Sequence, residues 1–124
     1  MRLEALILSI LFGLLLTIGI EALVLCFMKE RRIKVYISML VMNCLTNIPL
    51  NIFTLLCMKD YNSYFMMIFV HLIEIGIIEI ESIIYYFVTR EKKRSILYGV
   101  FCNLYSYIIG GILVSILFIF VEVI

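Results

Sequence analysis

Long apolar runs dominate this chain, and short charged segments interrupt them. Four of the runs each supply the roughly 20 apolar residues that a helix needs to cross a bilayer. These runs cover residues 5–28, 35–58, 64–88 and 95–124. The charged segments between them are residues 29–34, 59–63 and 90–94. The pattern therefore predicts an all-α integral membrane protein, in which residues 1–124 form a single domain of four transmembrane helices.

The amino-acid composition suits lipid as the solvent. Hydrophobic residues make up 65% of the 124 residues, charged residues only 15%, and the mean hydropathy is +1.20. Soluble domains carry about 25% charged residues, so cytosolic enzymes, secreted modules and nucleic-acid-binding proteins are excluded. The four cysteines form no Cys-x-x-Cys pair, and the spacing of Cys and His matches no metal motif. We expect neither a metal nor a cofactor.

Basic residues are concentrated in two of the three loops. Segments 29–34 and 90–94 each contain four Lys or Arg, whereas the middle loop contains Lys59 alone. The positive-inside rule then places both basic loops in the cytoplasm and both termini outside. The abundance of Ile, Asn, Lys and Tyr is typical of an AT-rich microbial genome, so we expect the cytoplasmic membrane of a microbe.

The second half of the chain matches the first without gaps at an offset of about 60 residues. In each half a mid-helix Glu is followed 22 residues later by an Asn and then, three residues further, by a hydroxyl. These residues are Glu21, Asn43 and Thr46 in the first half and Glu81, Asn103 and Ser106 in the second. We predict two helical hairpins, residues 1–60 and 61–124, that cross the membrane in the same sense as a parallel repeat.

The polar residues of the first hairpin are expected to meet inside the membrane. Glu21 and Asn43 flank the same loop at similar depth, roughly 10 Å from the helix ends at 1.5 Å per residue. A charged Glu at this depth costs a few kcal/mol, so it must be protonated, paired or in contact with water. Asn47 shares the helix face of Asn43, and Pro49 frees a backbone carbonyl nearby. This face is a candidate cradle for a cation or a polar solute, or a purely structural hydrogen-bonding surface.

The third run contains most of the remaining ionisable residues. Glu74 and Glu81 are seven residues apart and share one helix face, with His71 one turn before Glu74. Glu79 points to the opposite side, about 160° from Glu81 at 100° per residue. We therefore expect it to contact another helix, a second copy or a partner protein, although a polar crevice would also satisfy it. Small-residue pairs in the fourth run, such as those at Gly110 and Gly111, are expected to pack within the bundle or between copies.

A transporter or channel, or a membrane subunit of one, is the favoured function. It would move a proton, a cation or a small polar solute through an oligomer, because paired intramembrane carboxylates and amides can bind and release such species. The predicted exchange site consists of the intramembrane polar residues Glu21, Glu81, Asn43, Asn103, Thr46, Ser106, Asn47 and Glu74.

Two other classes of function remain open. In a non-catalytic assembly, accessory or immunity-type protein, the Glu/Asn pairs would fix helix packing and Glu79 would face the partner. An intramembrane enzyme is a remote alternative, because His71 is the only histidine and no nucleophile–base spacing is present. We therefore predict no catalytic residues and no enzymatic activity.

Overall fold

The computed structural model describes residues 3–57 and 63–123, and within these ranges all regular secondary structure is helical, with short loops at 28–32 and 90–91. The four helices are α1 (Leu3–Phe27), α2 (Ile33–Cys57), α3 (Ser63–Thr89) and α4 (Lys92–Val123). Four helices without strands confirm the predicted all-α class. Lys59, the single basic residue of the middle loop, lies outside the described residues.

Three of the four helices are long and apolar enough to cross a membrane. The qualifying stretches are Leu3–Phe27, Ile33–Thr54 and Lys92–Leu117. Helix α3 has 27 residues, but three Glu residues interrupt its apolar sequence within one short stretch, 74–81. The chain is thus compatible with a membrane protein, and the crossing of α3 stays a prediction.

The helices form a ring in which each packs against the next, and α4 closes the ring against α1. Every loop is short, so neighbouring helices run antiparallel. Two of the loops meet at one end of the bundle, which we call the basic end and define as residues 29–34 and 90–94. Large apolar side chains such as Leu15, Leu45 and Phe65 are exposed on the outer faces. Such surfaces are unusual in water and are suited to contact with lipid.

The buried core lies between the basic end and the middle of the bundle. Its members come from all four helices: Leu25, Val35, Met39, Met42, Tyr85, Tyr98 and Cys102. The rings of Tyr85 and Tyr98 pack edge to face, with centroids 5.6 Å apart. Edge-to-face packing places the positive ring edge on the negative ring face, and here it joins α3 to α4.

Both hairpins reverse direction through a residue in the left-handed conformation. Lys29 follows α1 with φ 61°, and Arg90 follows α3 with φ 58°. A left-handed residue commonly ends a helix because its backbone turns away from the helix axis. Pro49, in contrast, lies inside α2 without ending it.

Helices α3 and α4 approach each other closely at Gly99. A Cβ atom added to Gly99 would lie only 3.0 Å from the Cα of Ser82. The neighbouring backbone leaves no room for a side chain, which is why glycine stands there. Gly110 and Gly111 differ, because an added Cβ would meet nothing within 4 Å. Within this single chain, therefore, neither of these two glycines mediates a close helix contact.

Candidate functional site

Two carboxylates lie in the interior of the bundle, each bound to an asparagine of its own hairpin. Asn43 Nδ2 donates to Glu21 Oε2 at 2.7 Å, and Asn103 Nδ2 donates to Glu81 Oε2 at 2.5 Å. Both Glu side chains are 0% exposed. The sequence predicted these two pairings, and the structure brings both together over the same sequence separation of 22 residues.

Each carboxylate also contacts a hydroxyl of the other hairpin. Thr46 Oγ1 lies 3.3 Å from Glu81 Oε1, and Ser106 Oγ lies 3.5 Å from Glu21 Oε1. Each Glu is therefore contacted by an asparagine of its own hairpin and a hydroxyl of the other, at matching positions in the two halves. We call this set the Glu/Asn site and define it as Glu21, Asn43, Thr46, Glu81, Asn103 and Ser106.

The asparagine side chains are fixed in orientation by backbone carbonyls. Besides its bond to the carboxylate, Asn43 Nδ2 donates to Met39 O at 2.9 Å, and Asn103 Nδ2 donates to Gly99 O at 2.9 Å. Asn47 Nδ2 in turn donates to Asn43 Oδ1 at 2.5 Å. A flipped amide would set its oxygen against a carbonyl oxygen, so each asparagine presents N–H groups to its Glu.

The hydroxyls of Thr46 and Ser106 each lie closer to a backbone carbonyl than to a carboxylate. Thr46 Oγ1 lies 2.9 Å from Met42 O, and Ser106 Oγ lies 3.0 Å from Asn103 O. Hydroxyl groups in helices commonly donate back to a carbonyl of the preceding turn. In both residues the backbone carbonyl is therefore the nearer acceptor for the single hydroxyl hydrogen.

The remaining predicted residues lie apart from these contacts. Glu74 is half-buried and has no hydrogen-bond partner among the described residues, while Glu79 is exposed on the outer face of α3. His71 is exposed as well, and its Nε2 lies 3.4 Å from the hydroxyl of Tyr107. The structure thus separates Glu79 from the Glu/Asn site, as its position on the opposite helix face requires.

Sequence reasoning missed a second polar cluster at the basic end, centred on the buried Glu30. Its Oε1 accepts hydrogen bonds from the backbone N–H groups of Arg31 and Arg32, at 3.0 and 2.8 Å. The Arg32 guanidinium binds both carboxylate oxygens, at 2.9 and 2.8 Å. Tyr98 Oη donates to Oε2 at 2.5 Å, and Tyr36 Oη donates to the Glu30 carbonyl at 2.9 Å. The sequence signal for this cluster is an acidic residue, Glu30, within a loop of basic residues.

These contacts stabilise the charged forms of both partners. Hydrogen bonds from Arg32, and then from Tyr98 and the backbone, outweigh burial and lower the pKa of Glu30 to about 2. The pKa of Arg32 is raised, chiefly by its hydrogen bond to Glu30. Arg32 Nη1 also lies 3.3 Å from Glu91 Oε1, so the cluster joins the loops of the two hairpins.

Two further features are a buried tyrosine hydroxyl in the interior and an apolar groove on the surface. The Tyr85 hydroxyl is buried without a hydrogen-bond partner among the described residues. An apolar groove of about 780 Å³ runs between α1 and α4, past Gly19 and Phe101, and neither Glu of the Glu/Asn site lines it. Within the described residues, no group of three or more His, Cys, Asp or Glu side chains could hold a metal ion.

Comparison with known proteins adds no relative. No family model matches the chain, and neither the curated proteins nor the solved structures show a significant match to it. Function must therefore be argued from the Glu/Asn site itself.

Proposed function

We propose that this protein is a membrane transporter or channel, or the membrane subunit of one, and that the Glu/Asn site exchanges a proton or a small cation. The observation that supports this most directly is a pair of enclosed carboxylates without a basic partner. The described ion pairs all involve Glu30 or Glu91 at the basic end. An unpaired negative charge in such a low-dielectric environment is strongly unfavourable, so the site must hold a proton or a cation.

The arrangement of donors supports an exchange site at the junction of two repeats. Because 43 and 46 are one turn apart on α2, the carboxylates that they contact lie close together. Positions 103 and 106 repeat this relationship on α4. We infer that the hairpins are parallel repeats about a pseudo-two-fold axis, and that the basic end faces the cytoplasm. A homo-oligomer would supply the remaining walls of a pathway.

The proposed function is tested by ion flux in proteoliposomes. We expect wild-type protein to carry H⁺ or Na⁺ down an imposed gradient, and the double variant Glu21→Gln/Glu81→Gln to lose this flux. Glutamine keeps the shape and both hydrogen-bonding edges of a protonated Glu, so the double variant should still fold. Glu4→Gln, at an exposed position of α1, is the matched control. Absence of flux through folded wild-type protein would contradict transport by this chain.

An assembly or accessory role is the second candidate, and the exposed Glu79 favours it. A carboxylate on an outer helix face within the apolar part of α3 requires a polar neighbour. A second membrane protein could supply that neighbour. In this case a partner would co-purify with the chain from its native membrane, and its retention would depend on Glu79 and tolerate the double Gln change.

A further inference from the structure

Each of the two carboxyl groups makes one contact for which the neighbouring hydroxyl has no hydrogen to donate. A Thr or Ser hydroxyl has a single hydrogen to donate. In Thr46 and Ser106 the nearest acceptor for this hydrogen is a backbone carbonyl, at 2.9 and 3.0 Å. The contacts with Glu81 and Glu21 are longer, at 3.3 and 3.5 Å. With its one hydrogen directed to the nearer backbone carbonyl, the hydroxyl has none left to donate to the carboxyl oxygen. In each contact an ionised carboxylate oxygen would repel the lone pairs of the hydroxyl oxygen. The contact becomes favourable when the carboxyl group itself carries the hydrogen.

The other oxygen of each carboxyl group, Oε2, faces a hydrogen-bond donor and must act as an acceptor. Oε2 of Glu21 and Oε2 of Glu81 receive N–H groups from Asn43 and Asn103, whose orientation is fixed by backbone carbonyls. An oxygen that accepts an N–H hydrogen bond is suited to be the C=O oxygen of a carboxylic acid. The two edges are therefore distinguished chemically: Oε2 accepts and Oε1 is left to donate.

We propose that the ligand of the Glu/Asn site is the proton, bound on Oε1 of Glu21 and of Glu81, where each O–H donates to the hydroxyl of the opposite hairpin. This inference rests on the proposed exchange function of the site. Uptake forms one O–H bond per carboxylate as hydronium becomes water, and release reverses this step. Each bound proton thereby completes a hydrogen bond between the two hairpins, and its release leaves that contact without a hydrogen.

Several features disfavour a metal cation in the same place. Hard cations are bound by oxygen atoms, but Asn43 and Asn103 direct nitrogen towards the carboxylates. The amide oxygen of Asn43 is itself occupied by Asn47. A cation would have to displace these N–H groups, whereas a proton leaves them in place.

The groups that surround the pair leave protonation as the available route to neutrality. Helix α3 contributes Glu74 and Tyr85 to this region, and α4 contributes Cys102. Helix α2 contributes amides and a hydroxyl, and α1 contributes Glu21 itself. All of these groups are neutral or acidic, so none of them offers a positive charge to either carboxylate.

Infrared spectroscopy of the protein in lipid vesicles tests the proposal directly, because a protonated carboxyl has its own C=O stretching band. At neutral pH we expect wild-type protein to show this band. Glu21→Gln and Glu81→Gln should each lower its intensity, and by equal amounts. Thr46→Val and Ser106→Ala should shift the band, because each removes the acceptor of one O–H group.

Matched controls separate the site from the general effect of losing a hydroxyl. Thr54 and Ser115 also donate to a carbonyl one turn earlier, at 2.8 and 2.9 Å, but neither contacts a carboxylate. Thr54→Val and Ser115→Ala should therefore leave the band unchanged. Replacing Na⁺ by choline at constant pH should have no effect either.

Two results would overturn the proton assignment. One is a spectrum at neutral pH in which the Glu21 and Glu81 signals are those of ionised carboxylates. The other is a protonated band that disappears when Na⁺ is added at constant pH. Failure of the proposed transport function looks different: the band and its shifts are present, but folded wild-type protein carries no flux.

Discussion

Tyr98 Oη donates a 2.5 Å hydrogen bond to the carboxylate of Glu30, which lies 68 residues earlier in the chain. This bond joins α4 to the loop between α1 and α2. The Tyr98 ring also packs against Tyr85, whose hydroxyl has no partner among the described residues. Two neighbouring tyrosines thus differ in the use of their hydroxyl groups, and this difference can be measured.

Loss of the Tyr98 hydroxyl should destabilise the protein, and loss of the Tyr85 hydroxyl should not. Tyr98→Phe removes a hydrogen bond to a charged, buried carboxylate, which contributes about 1.5–3 kcal/mol. Tyr85→Phe removes a buried hydroxyl without a partner, so we expect an unchanged or slightly higher stability. Thermal unfolding in detergent, followed by circular dichroism, compares the two variants. Equal destabilisation by both changes would show that the hydrogen bond to Glu30 adds nothing to the free energy of unfolding beyond what the Tyr85 hydroxyl contributes.

The Glu30 cluster should make the protein sensitive to acid. The folded protein holds the pKa of Glu30 at about 2, below the usual 4.5 of the unfolded chain. A depressed pKa stabilises the fold above about pH 4.5, and this contribution is lost as the pH falls towards about 2. Unfolding measured across this window should show decreasing stability. Glu30→Gln should remove this part of the pH dependence, and an unchanged acid profile in the variant would contradict the assignment.

Glycine substitutions in α4 should have opposite effects at two sites. Gly99→Ala sets a methyl group against the backbone of Ser82 and should destabilise the protein by about 1–3 kcal/mol. Gly111→Ala fills open space in a helix, where Ala is favoured over Gly by about 1 kcal/mol. The same unfolding assay compares them. If Gly111→Ala instead lowers the fraction of oligomer, Gly111 belongs to an interface between copies.

The exposed carboxylate of α3 should control association. If Glu79 faces a second copy or a partner, Glu79→Leu should reduce the associated fraction several-fold while leaving the monomer folded. Ile75, one turn earlier on the same face, is also exposed, so Ile75→Leu is the control for a change of shape alone. Crosslinking or subunit counting in lipid measures the effect. Unchanged association in Glu79→Leu would show that Glu79 makes no stabilising contact in the interface.

The pairings within each hairpin could be predicted because they depend on little more than depth. Glu21 and Asn43 flank one short loop, and a helix advances by a fixed 1.5 Å per residue. Equal depth and a shared hairpin therefore determine that they meet. The offset match pointed to Glu81 and Asn103 for the same reason, and the four-helix fold follows from runs of sufficient length.

The contacts between hairpins were harder to obtain from the sequence. Glu30 stands among basic residues in a loop, where charged side chains are ordinarily solvated. Its burial depends on how α4 docks beside α1, which brings Tyr98 across the loop. Small residues pose the same difficulty: Gly99 is a close contact, whereas Gly110 and Gly111 face open space. A spacing of small residues cannot distinguish a contact within the bundle from one between copies.

The polar bonds between the two hairpins occupy only half the length of the bundle. Those that the described residues contain lie at the Glu/Asn site or at the basic end. Beyond Glu21 and Glu81, the opposite half is joined by apolar contact. Lipid tails solvate such faces as well as a neighbouring helix does. Separation of the hairpins at that end would therefore break no hydrogen bond among the described residues, and the basic end would act as the hinge.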